Sequence, residues 1–135
     1  MTEVEVEAPE PLVASLRDAA LLVCDHFGVE RATMAVMVVT PEHMAEVNAE
    51  HRGKPTPTDV LSFPVDGPVV RDGWPGDGPP AELGDVLICP EAATDPLPTL
   101  AIHGTLHLLG FDHETDDGEM LDLQDQLVAR LESRA

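Results

Sequence analysis

The sequence predicts one domain of the α/β (α+β) class, in which helices pack on a four-stranded mixed sheet. The chain has 135 residues, and we assign residues 1–135 to a single domain with one core. Strand-like and helix-like segments follow one another in the order β-α-β-α-β-β-α-α, which is typical of helices packed on a sheet. Apolar residues make up 43% of the chain and aromatic residues only 3%, so Leu, Val, Ala and Met must build the core.

The first half of the chain is predicted to form two strands, each followed by a helix. Residues 2–7 alternate Glu and Val, which is the pattern of a half-exposed strand. Between residues 9 and 28, apolar side chains recur on one helical face, and a glycine stands where the helix is expected to end. Residues 33–39 are almost continuously apolar, which predicts a strand covered on both faces. The Thr-Pro pair that opens residues 40–51 supplies the N-cap and first turn of a second helix.

The second half is predicted to contain two strands, with loops rich in Gly and Pro. Residues 52–58 are expected to form a loop, because Gly and Pro interrupt both kinds of periodicity. β-prone side chains predict strands at residues 59–65 and 83–89. The intervening residues 66–80 contain four Gly and four Pro, a composition that predicts a flexible surface loop.

Two helices complete the predicted fold. The first starts at about residue 97 or 99, because Pro96 and Pro98 disfavour an earlier start, and it runs to about residue 109. The second spans about residues 116–131, where apolar side chains are spaced by three or four.

The chain is strongly acidic, with a net charge of −19 and only seven Lys and Arg residues. Much of the acid lies near the N-terminus and after His113, which is typical of solvated faces that keep a protein soluble. Proteins that bind nucleic acid tightly and without sequence preference normally carry a basic patch. The composition therefore argues against that class of binding.

Cysteine usage and hydropathy indicate the compartment. Cys24 and Cys89 are too few for a disulfide framework and lack CxxC spacing, so we expect buried free thiols. The longest apolar stretch, around residues 32–39, is far shorter than the ~20 residues of a membrane span. The N-terminus shows no signal-peptide pattern. We therefore expect a cytoplasmic protein with no membrane partner.

The segment HGTLHLLGFDH, residues 103–113, carries the main functional signal. His103 and His107 are four residues apart, so both imidazoles project from one face of a helix and can bind one ion. Gly110 lets the chain leave the helix with a positive φ, and the turn can bring His113 back as a third ligand. The same histidine spacing occurs in metzincin proteases. The sequence therefore predicts a metal site on His103, His107 and His113.

The ligand set indicates the kind of metal and of chemistry. Three neutral nitrogens suit zinc, although imidazole also binds nickel, copper or iron. Three protein ligands leave the fourth tetrahedral position open, which is typical of catalytic rather than structural zinc. Water at such a position reaches a pKa of about 7 and becomes a nucleophile. We therefore predict one zinc ion and metal-assisted hydrolysis.

Gly104 occupies the position at which the protease pattern has its glutamate base. A zinc peptidase without this base is therefore an alternative interpretation and not the first one. Asp112 and Glu114 flank the third histidine, where they could orient an imidazole N–H or simply be exposed acids. The residues themselves leave that choice open.

Residues 51–54, with the sequence His-Arg-Gly-Lys, bring together two of the seven cations. Arg52 could be an ordinary surface charge in a loop rich in Gly and Pro. Alternatively, its guanidinium group could bind a phosphate through two parallel hydrogen bonds. Spacing alone does not decide between these roles.

Three segments occur in the order RGKPTPTDVLSFP, LGDVLICP and HGTLHLLGFDH. Together they resemble the YbeY family of bacterial endoribonucleases and rRNA maturation factors, and the resemblance covers roughly residues 48–131. Gly in place of Glu in the histidine motif is specific to this family. The chain departs from the family pattern at His51 and Phe111, where Tyr is common, and has a shorter segment over residues 90–102.

The resemblance implies a single-domain α/β protein that holds zinc on the three histidines and cleaves single-stranded RNA. It also implies a part in 16S rRNA 3′ end maturation and ribosome quality control. Arg52 matches the arginine that the family places near its metal, which implies a catalytic role. The implied partners are single-stranded RNA, rRNA and the small ribosomal subunit, with no DNA and no membrane. A ribosome-assembly factor with a chiefly structural metal site is the second interpretation, and the zinc peptidase is the third.

Overall fold

The computed structural model describes residues 2–74 and 78–134, and its elements follow the predicted order with one added α-helix and a short 3-10 helix at Pro90–Ala92. The strands are β1 (Glu3–Glu7), β2 (Ala32–Val38), β3 (Val60–Pro64) and β4 (Ala81–Ile88). The helices are α1 (Glu10–His26), α2 (Pro41–Arg52), α3 (Gly67–Asp72), α4 (Leu97–Leu108) and α5 (Glu119–Ser133). No helix in the described ranges is long and apolar enough to cross a membrane.

The sheet is mixed and has the strand order β1-β2-β4-β3. β1, β2 and β4 run parallel, whereas β3 pairs antiparallel with β4. The register between β2 and β4 shifts next to Gly84, which has a φ of 131°. A Cβ on Gly84 would lie 2.1 Å from the Phe63 carbonyl oxygen, so only glycine allows β3 to pair this closely. The predicted four-stranded mixed sheet with packed helices is confirmed for the described residues.

Helices cover both faces of the sheet. The larger core lies between one face and α1, α4 and α5. Its buried side chains include Leu16, Val36, Val86, Ile102 and Leu127. A smaller cluster lies on the other face, where α2 covers part of the sheet. It consists of Met44, Leu61, Leu87 and Cys89.

Both cysteines are buried and free, as predicted. Cys24 belongs to the larger core and Cys89 to the smaller cluster. Burial raises the pKa of the Cys24 thiol to about 12, so this thiol stays protonated at neutral pH.

The predicted loop over residues 66–80 is wrong in its first part, where Gly67–Asp72 form α3. At Gly67, a Cβ would lie 1.8 Å from the Leu108 carbonyl oxygen. Glycine therefore lets α3 pack directly against the end of α4, and the composition that indicated flexibility serves close packing instead. Residues 75–77 of the same segment lie outside the described residues.

The ends of α2 bear on the site because Arg52 is its last residue. At the start of the helix, the Thr40 hydroxyl accepts a hydrogen bond from the His43 backbone N–H at 3.1 Å. At the other end, Gly53 has a φ of 71° and stops the helix. The sequence predicted Arg52 in a loop, but the glycine cap comes one residue later, so the helix fixes the Arg52 backbone.

Two other predictions differ from the structure in detail. β2 is buried on one face, but its other face is only partly covered and Thr33 is exposed. α5 begins at Glu119 and not near residue 116. The Asp116 carboxylate accepts hydrogen bonds from the backbone N–H groups of Gly118 and Met120, and so caps the helix from outside.

Candidate metal centre

Three histidines converge where α4 ends. His103 and His107 project from one face of α4, and their Nε2 atoms are 3.2 Å apart. His113 returns from the turn after the helix, and its ring centroid lies 5.2 Å from that of His103 and 5.3 Å from that of His107. One nitrogen from each of the three rings lies within 4.8 Å of the other two. The structure thus brings together the three residues that the spacing predicts.

Contacts with other elements hold the turn that carries His113. Gly110 has a φ of 94°, in the region that favours glycine. A Cβ at this position would lie 3.2 Å from Pro68, so α3 packs directly under the turn. The Phe111 ring contacts Phe27, just beyond α1, at a centroid distance of 5.4 Å. The third histidine is therefore positioned by packing as well as by its place in the sequence.

The ring nitrogens that face away from the cluster have hydrogen-bond acceptors. Nδ1 of His103 lies 2.6 Å from Oε1 of Gln124, and Nδ1 of His107 lies 2.9 Å from the Phe111 carbonyl oxygen. Because both of these oxygens only accept hydrogen bonds, each ring donates from an Nδ1–H group. In this tautomer neither Nε2 atom carries a proton, so two lone pairs face each other at 3.2 Å. Two nitrogens bound to one tetrahedral zinc at ~2.0–2.1 Å would lie about 3.3 Å apart. The donor set therefore fits a cation between them.

Asp112 is one of the two acids considered as partners for histidine N–H groups, and its carboxylate contacts the backbone of the turn. The Asp112 carboxylate accepts a hydrogen bond from the Glu114 backbone N–H at 3.0 Å, which stabilises the turn around His113. Sequence reasoning missed Gln124 because it lies on α5, 21 residues after His103. No local spacing connects the two positions.

Burial lowers the pKa of His107, and the nearby His103 lowers it further because two imidazolium ions would repel each other. The Phe111 carbonyl and Asp112 act in the opposite direction but with smaller effect. His107 therefore favours the neutral form, which is the form that binds metals.

Gly104 lies between α4 and the sheet. A Cβ on Gly104 would lie 2.4 Å from Cγ1 of Val86, and the Ser62 hydroxyl donates to the Gly104 carbonyl at 3.0 Å. A glutamate at this position would point towards Val86 and the sheet. Position 104, where the protease pattern has its glutamate base, is therefore occupied by a glycine that lets α4 pack closely on the sheet.

The histidines line an open cleft of about 560 Å³, whose walls also come from the end of α2, from β3 and from the turn after α4. Among the described residues that line this cleft, Arg52 is the only Lys or Arg, and it is exposed. The acids Asp59, Asp112 and Glu114 also line the cleft. Within this described lining, an entering anion therefore finds one Lys or Arg side chain and three carboxylates. Arg52 and the three histidines share one cleft, although they lie far apart in the sequence.

The fold and the site define a small mixed α/β protein with an open three-histidine centre, of the kind used by metal-dependent hydrolases. The family model described as Endoribonuclease YbeY matches residues 3–132. The chain therefore belongs to the endoribonuclease YbeY family, which confirms the resemblance found in the sequence.

Individual relatives and one solved structure agree with this assignment. Endoribonuclease YbeY of Salinispora tropica is 40% identical and aligns with 83% of this chain and 85% of its own length. The protein of the same name from Micrococcus luteus is 39% identical, over 99% of this chain and 91% of its own. The solution structure of TM1509 from Thermotoga maritima has a TM-score of 0.62 and 25% identity, and the match covers 99% of this chain and 91% of that one.

Proposed function

We propose that residues 1–135 form a single metal-dependent endoribonuclease domain that cleaves single-stranded RNA. Its proposed role is cytoplasmic, in 16S rRNA 3′ end maturation and ribosome quality control, with rRNA and the small ribosomal subunit as partners. The convergence of His103, His107 and His113 at an open cleft carries the proposal. Membership of the endoribonuclease YbeY family supports the reaction class.

One zinc ion is the proposed cofactor, held by His103, His107 and His113. Three neutral nitrogens suit zinc and leave one tetrahedral position open. When bound, zinc supplies a Lewis acid and a water of lowered pKa for attack on a phosphodiester. The chain contributes the alignment of the ligands, because the Phe111 carbonyl holds the His107 ring with its Nε2 lone pair directed into the cluster.

We assign to Arg52 the stabilisation of the reacting phosphate. During phosphodiester hydrolysis negative charge grows on the nonbridging oxygens, and a preorganised cation stabilises that charge. Arg52 ends α2, and its guanidinium group can make two parallel hydrogen bonds to a phosphate. Among the described residues that line the cleft, Arg52 is the one Lys or Arg that can offset the nearby carboxylates, and the proposed metal would add to its effect.

A cleavage assay distinguishes the three interpretations. The purified chain should cut single-stranded RNA, leave an RNA duplex and an unstructured polypeptide intact, and lose activity with a chelator until zinc is restored. His113→Ala should lose zinc and cleavage together, because it removes one of three ligands. Metal-dependent cleavage of the polypeptide would favour the peptidase, although Gly104 offers no base there. Zinc uptake without RNA cleavage would favour the assembly factor.

Substitution of Arg52 tests its proposed role. Arg52→Ala should keep its fold and zinc but cleave RNA about 10²-fold more slowly, the scale seen when one stabilising donor is lost. Arg52→Lys should recover only part of the rate, because an ammonium group cannot make the bidentate contact. Single-turnover cleavage, with zinc content measured on each preparation, provides the comparison.

Lys54→Ala is the matched control for Arg52. Lys54 is an exposed cation two residues away that is not among the described residues lining the cleft. Its removal changes the net charge equally and should leave the cleavage rate near that of the wild type. Equal rates for Arg52→Ala and Lys54→Ala would show that Arg52 has no catalytic role.

A further inference from the structure

α5 reaches the candidate metal centre through the side chain of Gln124. Its Oε1 lies 2.6 Å from Nδ1 of His103, and the residue is partly buried. The next two residues of α5, Asp125 and Gln126, are exposed. Because the contact joins two helices, the packing of α5 on α4 sets its geometry, and no local turn does so.

The hydrogen bond selects one tautomer of His103. A neutral imidazole carries its proton on one nitrogen, so Nε2 has a free lone pair only when the proton is on Nδ1. An amide oxygen accepts hydrogen bonds and cannot donate them. Gln124 Oε1 therefore stabilises the Nδ1–H form and limits rotation of the ring. His107 has an equivalent acceptor in the Phe111 carbonyl, so both helix ligands are held in the same tautomer.

We propose that Gln124 is a positioning residue for the metal: its amide oxygen fixes the tautomer and orientation of His103 and so raises the metal affinity of the site. The inference rests on the proposed metal site at the three histidines. Removal of such a partner typically lowers metal affinity by about 10- to 100-fold. α5 is then part of the centre although it supplies no ligand.

Three variants separate this role from simple packing. Gln124→Leu keeps a similar volume but removes the acceptor, and should bind zinc about 10- to 100-fold more weakly. Gln124→Glu keeps an acceptor at the same position and should bind zinc at least as tightly as the wild type. Gln126→Leu is the matched control, since it makes the same substitution at an exposed position of the same helix, and should leave affinity unchanged. Zinc affinity is measured by competition with a chromophoric chelator, without RNA.

The tautomer of His103 provides a readout that packing alone would not change. ¹⁵N NMR of the metal-free chain should show the His103 proton on Nδ1 in the wild type and in Gln124→Glu, and a mixture of tautomers in Gln124→Leu. A wild-type proton on Nε2 would overturn the inference, even if the leucine variant failed to fold.

The affinities separate failure of this inference from failure of the proposed function. Wild-type zinc binding with equal affinities for Gln124→Leu and Gln126→Leu would overturn the role of Gln124 alone. A glutamate variant as weak as the leucine variant would also overturn it, because the acceptor is retained. A wild-type chain that takes up no zinc would overturn both proposals.

Discussion

Gly104 determines how closely α4 approaches the sheet next to its histidines. A Cβ there would lie 2.4 Å from Val86 Cγ1, while the Gly104 carbonyl accepts a hydrogen bond from Ser62. His103 is its direct neighbour, so a displacement of the helix at this point would move a ligand. One glycine therefore couples the packing of the core to the geometry of the cleft.

Gly104→Ala should push α4 away from β4 and destabilise the fold by about 1–3 kcal/mol, the usual cost of overpacking. Its zinc affinity should fall as well, because His103 would move with the helix. Val86→Ala makes room for the added methyl group, so the double variant should lose less stability than the sum of the single losses. Urea unfolding of the four chains measures this coupling. Strictly additive losses would show that Val86 does not impose the requirement for glycine.

At the scale of single elements, α3 shows how tertiary contacts override local composition. It has only six residues, too few for a helix to be stable on its own. Contacts with the end of α4 and with Gly110 stabilise α3, whose local helix propensity is too weak to do so alone. α3 thereby supports the turn that carries His113.

Gly67→Ala should separate α3 from α4, because the added Cβ would lie 1.8 Å from the Leu108 carbonyl oxygen, a backbone atom that cannot rotate away. We expect a loss of about 1–3 kcal/mol in the free energy of unfolding. Weaker zinc binding should accompany it, through the loosened turn at Gly110. Val69→Ala is the control on the same helix, since Val69 is 58% exposed. If the two variants have the same free energy of unfolding and the same zinc affinity, the contact of α3 with α4 does not support the site.

The elements that could be predicted from the sequence are those with a local signal. Hydrophobic patterns, β-prone side chains and helix-boundary residues predicted the four strands and the four longer helices, and the spacing of His103, His107 and His113 predicted their convergence. α3 had no such signal, because Gly67 and Pro68 acquire their packing roles only against Leu108 and Gly110. Gln124 was missed for the same reason, since its contact depends on how two helices pack. The catalytic importance of Arg52 came from the family resemblance and stays a prediction.

At the scale of the whole molecule, the charge of −19 opposes an RNA substrate. β1 contributes Glu3, Glu5 and Glu7, all of them exposed. Such charges repel an approaching polyanion over a distance that salt shortens, from about 30 Å at 0.01 M to about 8 Å at 0.15 M. Added salt should therefore weaken the repulsion between this protein and RNA, whereas it weakens the attraction between a basic nuclease and RNA.

Replacement of Glu3, Glu5 and Glu7 together by Gln should raise kcat/KM for single-stranded RNA at low ionic strength by roughly 2- to 10-fold, because long-range repulsion slows encounter. The gain should disappear at high salt, and zinc content should not change. The triple Glu→Asp variant keeps the charge and serves as the control. A gain that persists unchanged at high salt would contradict an electrostatic origin.

β3 is synthesised before β4, its partner in the described sheet. Because the strand order is β1-β2-β4-β3, a nascent chain that ends before Ala81 can pair β1 with β2 but leaves β3 unpaired. Once β4 has emerged from the ribosome, it can pair with β2 on one edge and with β3 on the other. Such non-local pairing is slow compared with helix formation. The histidines and Gln124 follow β4 in the sequence, so they assemble on a finished sheet. A chain that ends before His113 would lack one of the three proposed ligands, so loading of the proposed metal site requires translation to the end of the histidine motif.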